Sequence, residues 1–339
     1  MFNISKLDGK RKFLCVVLQN AFATNDPFRL SCMAKPVRGE KMNLKNVSSQ
    51  MKISAFTFVK NGQLLGYPFV QSIQSVLPLV DEFVINVGEG EDDTLAIIQA
   101  IKSDKIRIIE SKWNDKMRAR GYVYGQQKMI AQFNCTGDWA FYLEADEVVH
   151  ENDIEKIRAI CEKHLHNPEV EAIAFDYIHF WGNESTYIDS SHWYRSEARI
   201  IRNSIRSYAP DGLYWIVLDG RKGRRYPRAL RPGINMYHYG WTRTIDQLEK
   251  KDEKVSQYWN RKAEKVSYDE IDPLIMRSFT GEHPKVMQSM FNNNANDIFI
   301  PNPKNGIPKS YKRYRWKDRL EKILKIDLSK KHYQLIKET

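Results

Sequence analysis

Two acids one residue apart, Glu144 and Asp146, follow directly on the apolar run Trp139-Ala-Phe-Tyr-Leu143. Side chains two apart on a strand share a face, so the pair projects together past the strand's end. Open α/β sheets bind ligands there, beyond the carboxyl ends of their strands. A divalent ion bridging a nucleoside diphosphate needs hard oxygen donors from one or two carboxylates, leaving its other positions to phosphate and water. Glu144 and Asp146 meet that requirement, although with Glu147 they also suit a solvated turn ahead of a helix near Asn152. Downstream, His238 in Tyr237-His-Tyr-Gly-Trp241 is the best further candidate for a metal or diphosphate ligand, and Arg118 and Arg120 could reach the same phosphates.

Positioning such groups takes a sheet, and the chain from Ile53 onward reads as strands alternating with helices. That is the pattern of an α/β fold with a mostly parallel central sheet flanked by helices. Expected strands are 53–58, 83–87, 106–109 and 139–143, the last apolar enough for a buried central position. Between them, Leu65, Phe69, Ile73 and Val76 recur at helical spacing; Asp93 is a candidate cap for a helix carrying Ile97, Ile98 and Ile101. A further helix carries Tyr122, Met129, Ile130 and Phe133, and another Ile154, Ile157 and Cys161. Later strands are expected near 172–180 and 198–201. The reading divides the chain into an extension, 1–50, a catalytic region, 51–245, and a helical, basic C-terminal region, 246–339.

The 339 residues are 42% hydrophobic and 12% aromatic, which excludes a wholly disordered chain. A net charge of +11 directs attention to anionic partners: nucleotides, acidic glycans, nucleic acid or an anionic membrane surface. Cys15, Cys32, Cys135 and Cys161 form no C-x-x-C pair, so a reducing, cytoplasmic setting is expected, at the cytoplasmic face of a membrane if the chain meets one. No apolar run reaches the length of a spanning helix; Phe13–Ala23 only loosely resembles a secretion signal. Lys309–Lys337 mixes aromatic, aliphatic and basic residues as a basic amphipathic surface helix would, and membrane association is favoured over nucleic acid for it. There is no G-x-x-x-x-G-K-[ST] and no G-x-G-x-x-G. A nucleotidyltransferase would use the same sheet-edge carboxylates, and a nucleic-acid- or membrane-binding protein would use the basic tail; both stand as alternatives.

Trp139-Ala-Phe-Tyr-Leu-Glu-Ala-Asp-Glu147 resembles the W-hydrophobic-D-A-D-E segment of family 2 glycosyltransferases with the GT-A fold. Thr57-Phe-Val-Lys-Asn61 resembles the end of that family's opening strand, and Val84–Thr94 its second strand and acidic turn. Tyr237-His-Tyr-Gly-Trp-Thr-Arg243 resembles a segment of bacterial cell-surface polysaccharide transferases. The resemblance spans roughly residues 51–245. It implies an inverting glycosyltransferase that uses Mn²⁺ or Mg²⁺, a nucleoside-diphosphate sugar donor, with UDP favoured, and a glycan or glycolipid acceptor. Asp146 and His238 would be metal ligands. Thr57, Asn61, Asn86, Glu144, Arg118 and Arg120 would contact the nucleotide sugar, with Asn86 standing in for a base-reading Asp. Asp211 lies where related enzymes carry the acceptor-side carboxylate, and is the first candidate for general base, followed by Asp219 and Glu197. Trp181, Trp193, Tyr194, Tyr214 and Trp215 offer aromatic faces that suit a sugar or a core.

Overall fold

The structure, a computed structural model, describes residues 50–220, 223–291, 298–304 and 306–337. The expected extension, with Phe13–Ala23, Cys15 and Cys32, lies outside the described residues apart from Gln50. The described residues form one compact unit.

In chain order the first half comprises β1 (Ile53–Val59), α1 (Phe69–Val76), β2 (Glu82–Gly88), α2 (Thr94–Gln99), β3 (Ile106–Ser111), α3 (Tyr122–Phe133), β4 (Trp139–Tyr142), β5 (Glu147–Val149) and α4 (Ile154–Lys163). The second half comprises β6 (Ala172–Trp181), β7 (Asn183–Ile188), β8 (Ser196–Arg202), β9 (Ser207–Tyr208), β10 (Ile216–Asp219), β11 (Gly223–Arg225), β12 (Arg228–Leu230), β13 (Asn235–Trp241), α5 (Ile245–Ser256), β14 (Met276–Ser278), α6 (Lys309–Leu324) and β15 (Gln334–Leu335). The main sheet runs β14-β7-β6-β8-β4-β1-β2-β3, with β12 and β13 also paired to β6. Strands β4, β1, β2 and β3 are mutually parallel, while β8 joins β4 antiparallel and opens the mixed second half.

Strands β1, β2 and β4 are buried on both faces, which is why they read as nearly continuous apolar runs, whereas β3, at the sheet edge, is partly exposed. Alternation along them decides which residues meet the site. Ile53, Ala55 and Val59 of β1 join Phe141 of β4 in a core beneath α1, α2 and α4. Phe56 and Phe58 join Tyr142 on the other face, against α3. That second face is the one that opens into the cavity described below.

Three local expectations are corrected. The side chain that caps α2 is Asp92, whose Oδ1 accepts from Thr94 N–H at 3.1 Å; Asp93 makes no side-chain cap. Asp92 also accepts from Leu64 N–H, so it ties two loops together. On α3, Tyr122 and Phe133 are exposed, and the buried side is Val123, Gly125, Gln127, Lys128, Met129, Ala131 and Gln132. Finally, the chain beyond residue 245 is not merely a helical appendage: β14 pairs with β7, β15 pairs with β12, and α5 supplies part of the site.

Candidate active site

The turn Glu144-Ala-Asp-Glu147 closes with a Glu147 N–H to Glu144 carbonyl bond of 3.0 Å. It is fixed from below by Glu147, which is fully buried and accepts from Arg199 Nη2 at 2.6 Å and from Tyr177 Oη at 2.5 Å. A second Glu147 oxygen accepts from Glu144 N–H at 3.0 Å. Arg199, also fully buried, extends Nη2 to Glu144 Oε1 at 2.8 Å. A buried ion pair completed by hydrogen bonds in this way is costly to break from one side. The turn is therefore a rigid platform rather than a solvated loop.

β13 brings the third element. Its His238 lies opposite Glu147 of β5, and Tyr239 N–H donates to the Asp146 carbonyl at 2.9 Å. Donor atoms of Glu144, Asp146 and His238 all fall within 4.8 Å of one another. The nearest His238 approach is Nε2 to Asp146 Oδ1, 3.6 Å.

The hydrogen bonds fix which nitrogen of His238 is bare. His179 Nε2 lies 2.8 Å from the Tyr194 carbonyl, which only accepts, so that nitrogen carries the proton. Burial pushes His179 down to about 4, leaving the ring neutral and its Nδ1 unprotonated. His238 Nδ1, 3.0 Å away, must then donate to it. Burial also holds His238 well below its usual value, so its Nε2 presents a lone pair toward Asp146. Burial alone would raise the Asp146 carboxyl, but the basic groups around it, Lys251 foremost, outweigh burial and hold it well below the usual carboxylate range. A bare imidazole nitrogen facing an ionised carboxylate is an arrangement that a cation stabilises.

Glu144 differs: burial, and next Glu147, push it up to about 8 despite Arg199. Its side chain is 28% exposed, toward the cavity.

With the Glu144 proton released on binding, two carboxylates and a neutral imidazole suit Mn²⁺ or Mg²⁺ as a donor set. The space for the ion depends on Gly240. A Cβ there would lie 2.5 Å from His238 Nε2 and 3.3 Å from Asp146 Oδ2, so any side chain would intrude on the corner. The residues present fit a divalent cation. Around them, Arg243 donates to Asp146 Oδ2 at 2.7 Å and to the carbonyls of Gly240 and Gly66. Lys251 of α5 places Nζ 3.6 Å from the same Asp146 oxygen. Burial lowers Lys251 to about 8, more than the acids restore.

These groups open into a cavity of about 690 Å³ at the carboxyl ends of β1 and β4. Aromatic rings form much of its wall: Phe58 stacks on Tyr142, and Trp113 meets Tyr124 and Tyr258 edge to face or tilted. Lys251, Lys254, Val255, Gln257, Tyr258 and Trp259, from α5 and the turn after it, complete the lining.

The expected site residues divide accordingly. Glu144, Asp146, His238, Asn61, Arg118 and Asp211 line the cavity. Asn61 adopts a left-handed backbone and accepts from Glu91 N–H at 2.7 Å, shaping the loop beside the donor groups. Asp211 is held by Leu213 N–H at 2.8 Å, and the following carbonyls of Gly212 and Leu213 accept from the buried Lys128.

The others fall elsewhere. Thr57 has the parity of Ala55 and Val59 and is buried beneath the sheet, its hydroxyl without a partner. Asn86 is buried and donates to the Gln127 carbonyl and side chain, so it faces α3 rather than a nucleobase. Arg120 is exposed and takes a left-handed backbone outside the cavity lining. Glu197 is fully buried against His332 Nδ1, 2.5 Å away. Asp219 sits in the small β9–β11 sheet, paired with Arg225 at 3.1 Å. Of the five aromatic candidates, Trp193 and Tyr194 line the cavity; Trp181 and Trp215 are buried, and Tyr214 stacks on His332.

Lys251, Arg199, Lys128 and His179 were not among the expected residues. Lys251 carried a faint signal, since it follows a Thr244/Gln247 capping box on a helix that begins just after His238. The others act through pairings distant in sequence, which spacing cannot reveal.

No family model matches the chain. It is similar to an uncharacterized glycosyltransferase of Rickettsia felis, 32% identical over 113 residues, 33% of this chain and 35% of that one. It is also similar to an uncharacterized glycosyltransferase of Rickettsia prowazekii, 29% identical over 205 residues, 59% of this chain and 64% of that one. The matched part is thus less than two thirds of either relative's length. Among solved structures, S. aureus TarS overlaps 60% of this chain and 39% of its own, at 14% identity and a TM-score of 0.34. The Rickettsia names agree with the resemblance to glycosyltransferases carried by the sequence motifs.

Proposed function

We propose that the protein is a glycosyltransferase that moves a sugar from a nucleoside-diphosphate donor, UDP-linked by preference, to a hydroxyl of a glycan or glycolipid acceptor, with inversion. The observation that carries this reading is the convergence of Glu144, Asp146 and His238 within 4.8 Å at the floor of the aromatic-walled cavity. The similarity to Rickettsia proteins named glycosyltransferases supports it.

Asp146 Oδ1, His238 Nε2 and Glu144 would hold a divalent ion, Mn²⁺ or Mg²⁺. When bound, the ion supplies positive charge to the leaving diphosphate. The chain's own residues prepare for that charge. Arg199 and Glu147 fix the turn, His179 keeps the His238 lone pair directed at the corner, and Gly240 leaves room for it. Lys251, a cation below about pH 8, adds charge on the same side. Arg118 at the rim lies on the cavity lining and would meet phosphate from outside. Trp113, Tyr124 and Tyr258 offer ring faces and edges to a base or sugar. Asp211, on the same cavity, would accept the proton from the attacking acceptor hydroxyl as the new bond forms. No covalent glycosyl-enzyme step is needed.

A panel of nucleotide sugars incubated with Mn²⁺, with released nucleoside diphosphate measured, tests the reading. Turnover of at least one donor is expected, together with its loss in Asp146→Ala. A panel of nucleoside triphosphates that released pyrophosphate, with no sugar donor turned over, would replace this reading with nucleotidyl transfer.

A further inference from the structure

The faces of α6 are reversed relative to a helix packed on a soluble body. Its acids point inward. Glu321 is buried and accepts from Arg195 Nη1 at 2.7 Å and Leu328 N–H at 2.6 Å. Asp318 accepts from Ser190 Oγ at 2.9 Å and from Ser191 N–H and Oγ at 2.8 and 2.6 Å. Arg315 donates to Asp272 at 2.6 and 2.9 Å, anchoring the same side.

Outward point the large apolar side chains. Trp316 is 59% exposed, Leu320 37%, Ile323 74% and Leu324 56%. Their positions, i, i+4, i+7 and i+8, make one stripe along the helix. Ile326, just past its end, is exposed as well. Beside the stripe stand Lys309, Lys312, Arg313 and Arg319, all exposed, none in an ion pair with a described residue. The helix's only two acids, Asp318 and Glu321, are the ones turned inward, so this face is basic and apolar together.

We propose that this face of α6 rests on an anionic phospholipid bilayer, with Trp316, Leu320, Ile323 and Leu324 entering the headgroup boundary and the flanking cations meeting lipid phosphates. An apolar stripe flanked by Lys and Arg, with Trp among the apolar residues, is what an in-plane interfacial helix requires. Each cation near an anionic surface adds to the attraction, and the protein's net charge of +11 has the same sign. No helix among the described residues is long and apolar enough to cross a membrane, so this contact is one that lies on the surface. The helix is not a loose tail. Through Ser190 and Ser191 it braces the loop that continues to Trp193 and Tyr194, both on the cavity lining, and His192 packs on Tyr311 and Tyr314. A lipid-borne acceptor would be met close to that wall.

Co-sedimentation of the full chain with vesicles tests the proposal, using phosphatidylcholine alone and phosphatidylcholine mixed with phosphatidylglycerol. The wild type should pellet with the mixed vesicles and remain soluble with the neutral ones. Trp316→Asp/Ile323→Asp and, separately, Lys312→Glu/Arg319→Glu should each weaken partition by about tenfold or more. Because all four positions are exposed, urea unfolding midpoints should match the wild type, which separates lost docking from lost folding. Equal sedimentation by the variants, or none by the wild type, would overturn the proposal. So would binding of single-stranded RNA without vesicle binding, or self-association through this face that Ile323→Asp abolishes while vesicle binding is absent. No donor sugar is present, so the outcome is separate from that of the transfer assay.

Discussion

Two neighbouring carboxylates of one turn have opposite duties. Glu147 is enclosed by Arg199 and Tyr177, with every oxygen committed to a protein partner. Asp146, one residue before it, gives Oδ2 to Arg243 while Oδ1 faces the bare nitrogen of His238. The first pairing is closed and makes the turn rigid; the second leaves an incomplete shell aimed at a cavity. Burial is nearly the same for both, 0% and 3% exposed, so depth does not distinguish them. What distinguishes them is whether the protein supplies all the partners.

Removing the guanidinium tests the closed half. Arg199→Ala leaves Glu147 buried and unpaired, and is expected to cost about 3–5 kcal/mol of stability in urea unfolding. Loss of less than about 1 kcal/mol would mean that water already satisfies Glu147. The open half is tested by Asp146→Asn, which keeps an acceptor for Arg243 but loses the negative charge. Transfer rate should fall about 10²–10³-fold, while unfolding moves less than in Arg199→Ala. An equal loss of stability in both would erase the distinction.

The relay behind His238 sharpens the comparison. His179→Phe removes the acceptor for His238 Nδ1–H and frees the ring to change tautomer. Mn²⁺ affinity is expected to fall about 10–100-fold, measured by calorimetric titration. Retention of full affinity would show that the tautomer is fixed in another way.

The smallest effect concerns pH. Lys251 is lowered from 10.5 to about 8, chiefly by burial, so its charge is present below pH 8 and is lost above. Since kcat/KM follows the free enzyme, its alkaline limb should fall about tenfold per pH unit beyond 8. Lys251→Arg should hold its charge and move that limb upward; an unmoved limb would assign it to another group.

Much of this was legible in the chain itself. The apolar run before Glu144, the parallel first half of the sheet and the histidine strand all carry local signals, because burial on both faces and strand alternation act over neighbouring residues. Asp146 and His238 were singled out by strand-end placement and by the family resemblance, and the fold brings them to one corner. Thr57 faces away from the cavity because motif likeness ignores parity, one residue along a strand reversing the face, and Asn86 is taken up by Gln127, a partner far along the chain on α3. Glu197 looked like a free acid because its partner, His332, lies far along the chain. Lys251 and the strands β14 and β15 were hidden by a charged, weakly periodic stretch whose structure depends on what it packs against.

The most direct test is UDP binding by calorimetry, with Mn²⁺ and with a chelator, on the wild type and Asp146→Asn. The account expects Mn²⁺-dependent binding to the wild type and little to the variant. Equal binding with chelator, or an unchanged affinity in Asp146→Asn, would contradict the claim that this corner holds the cation that presents the donor.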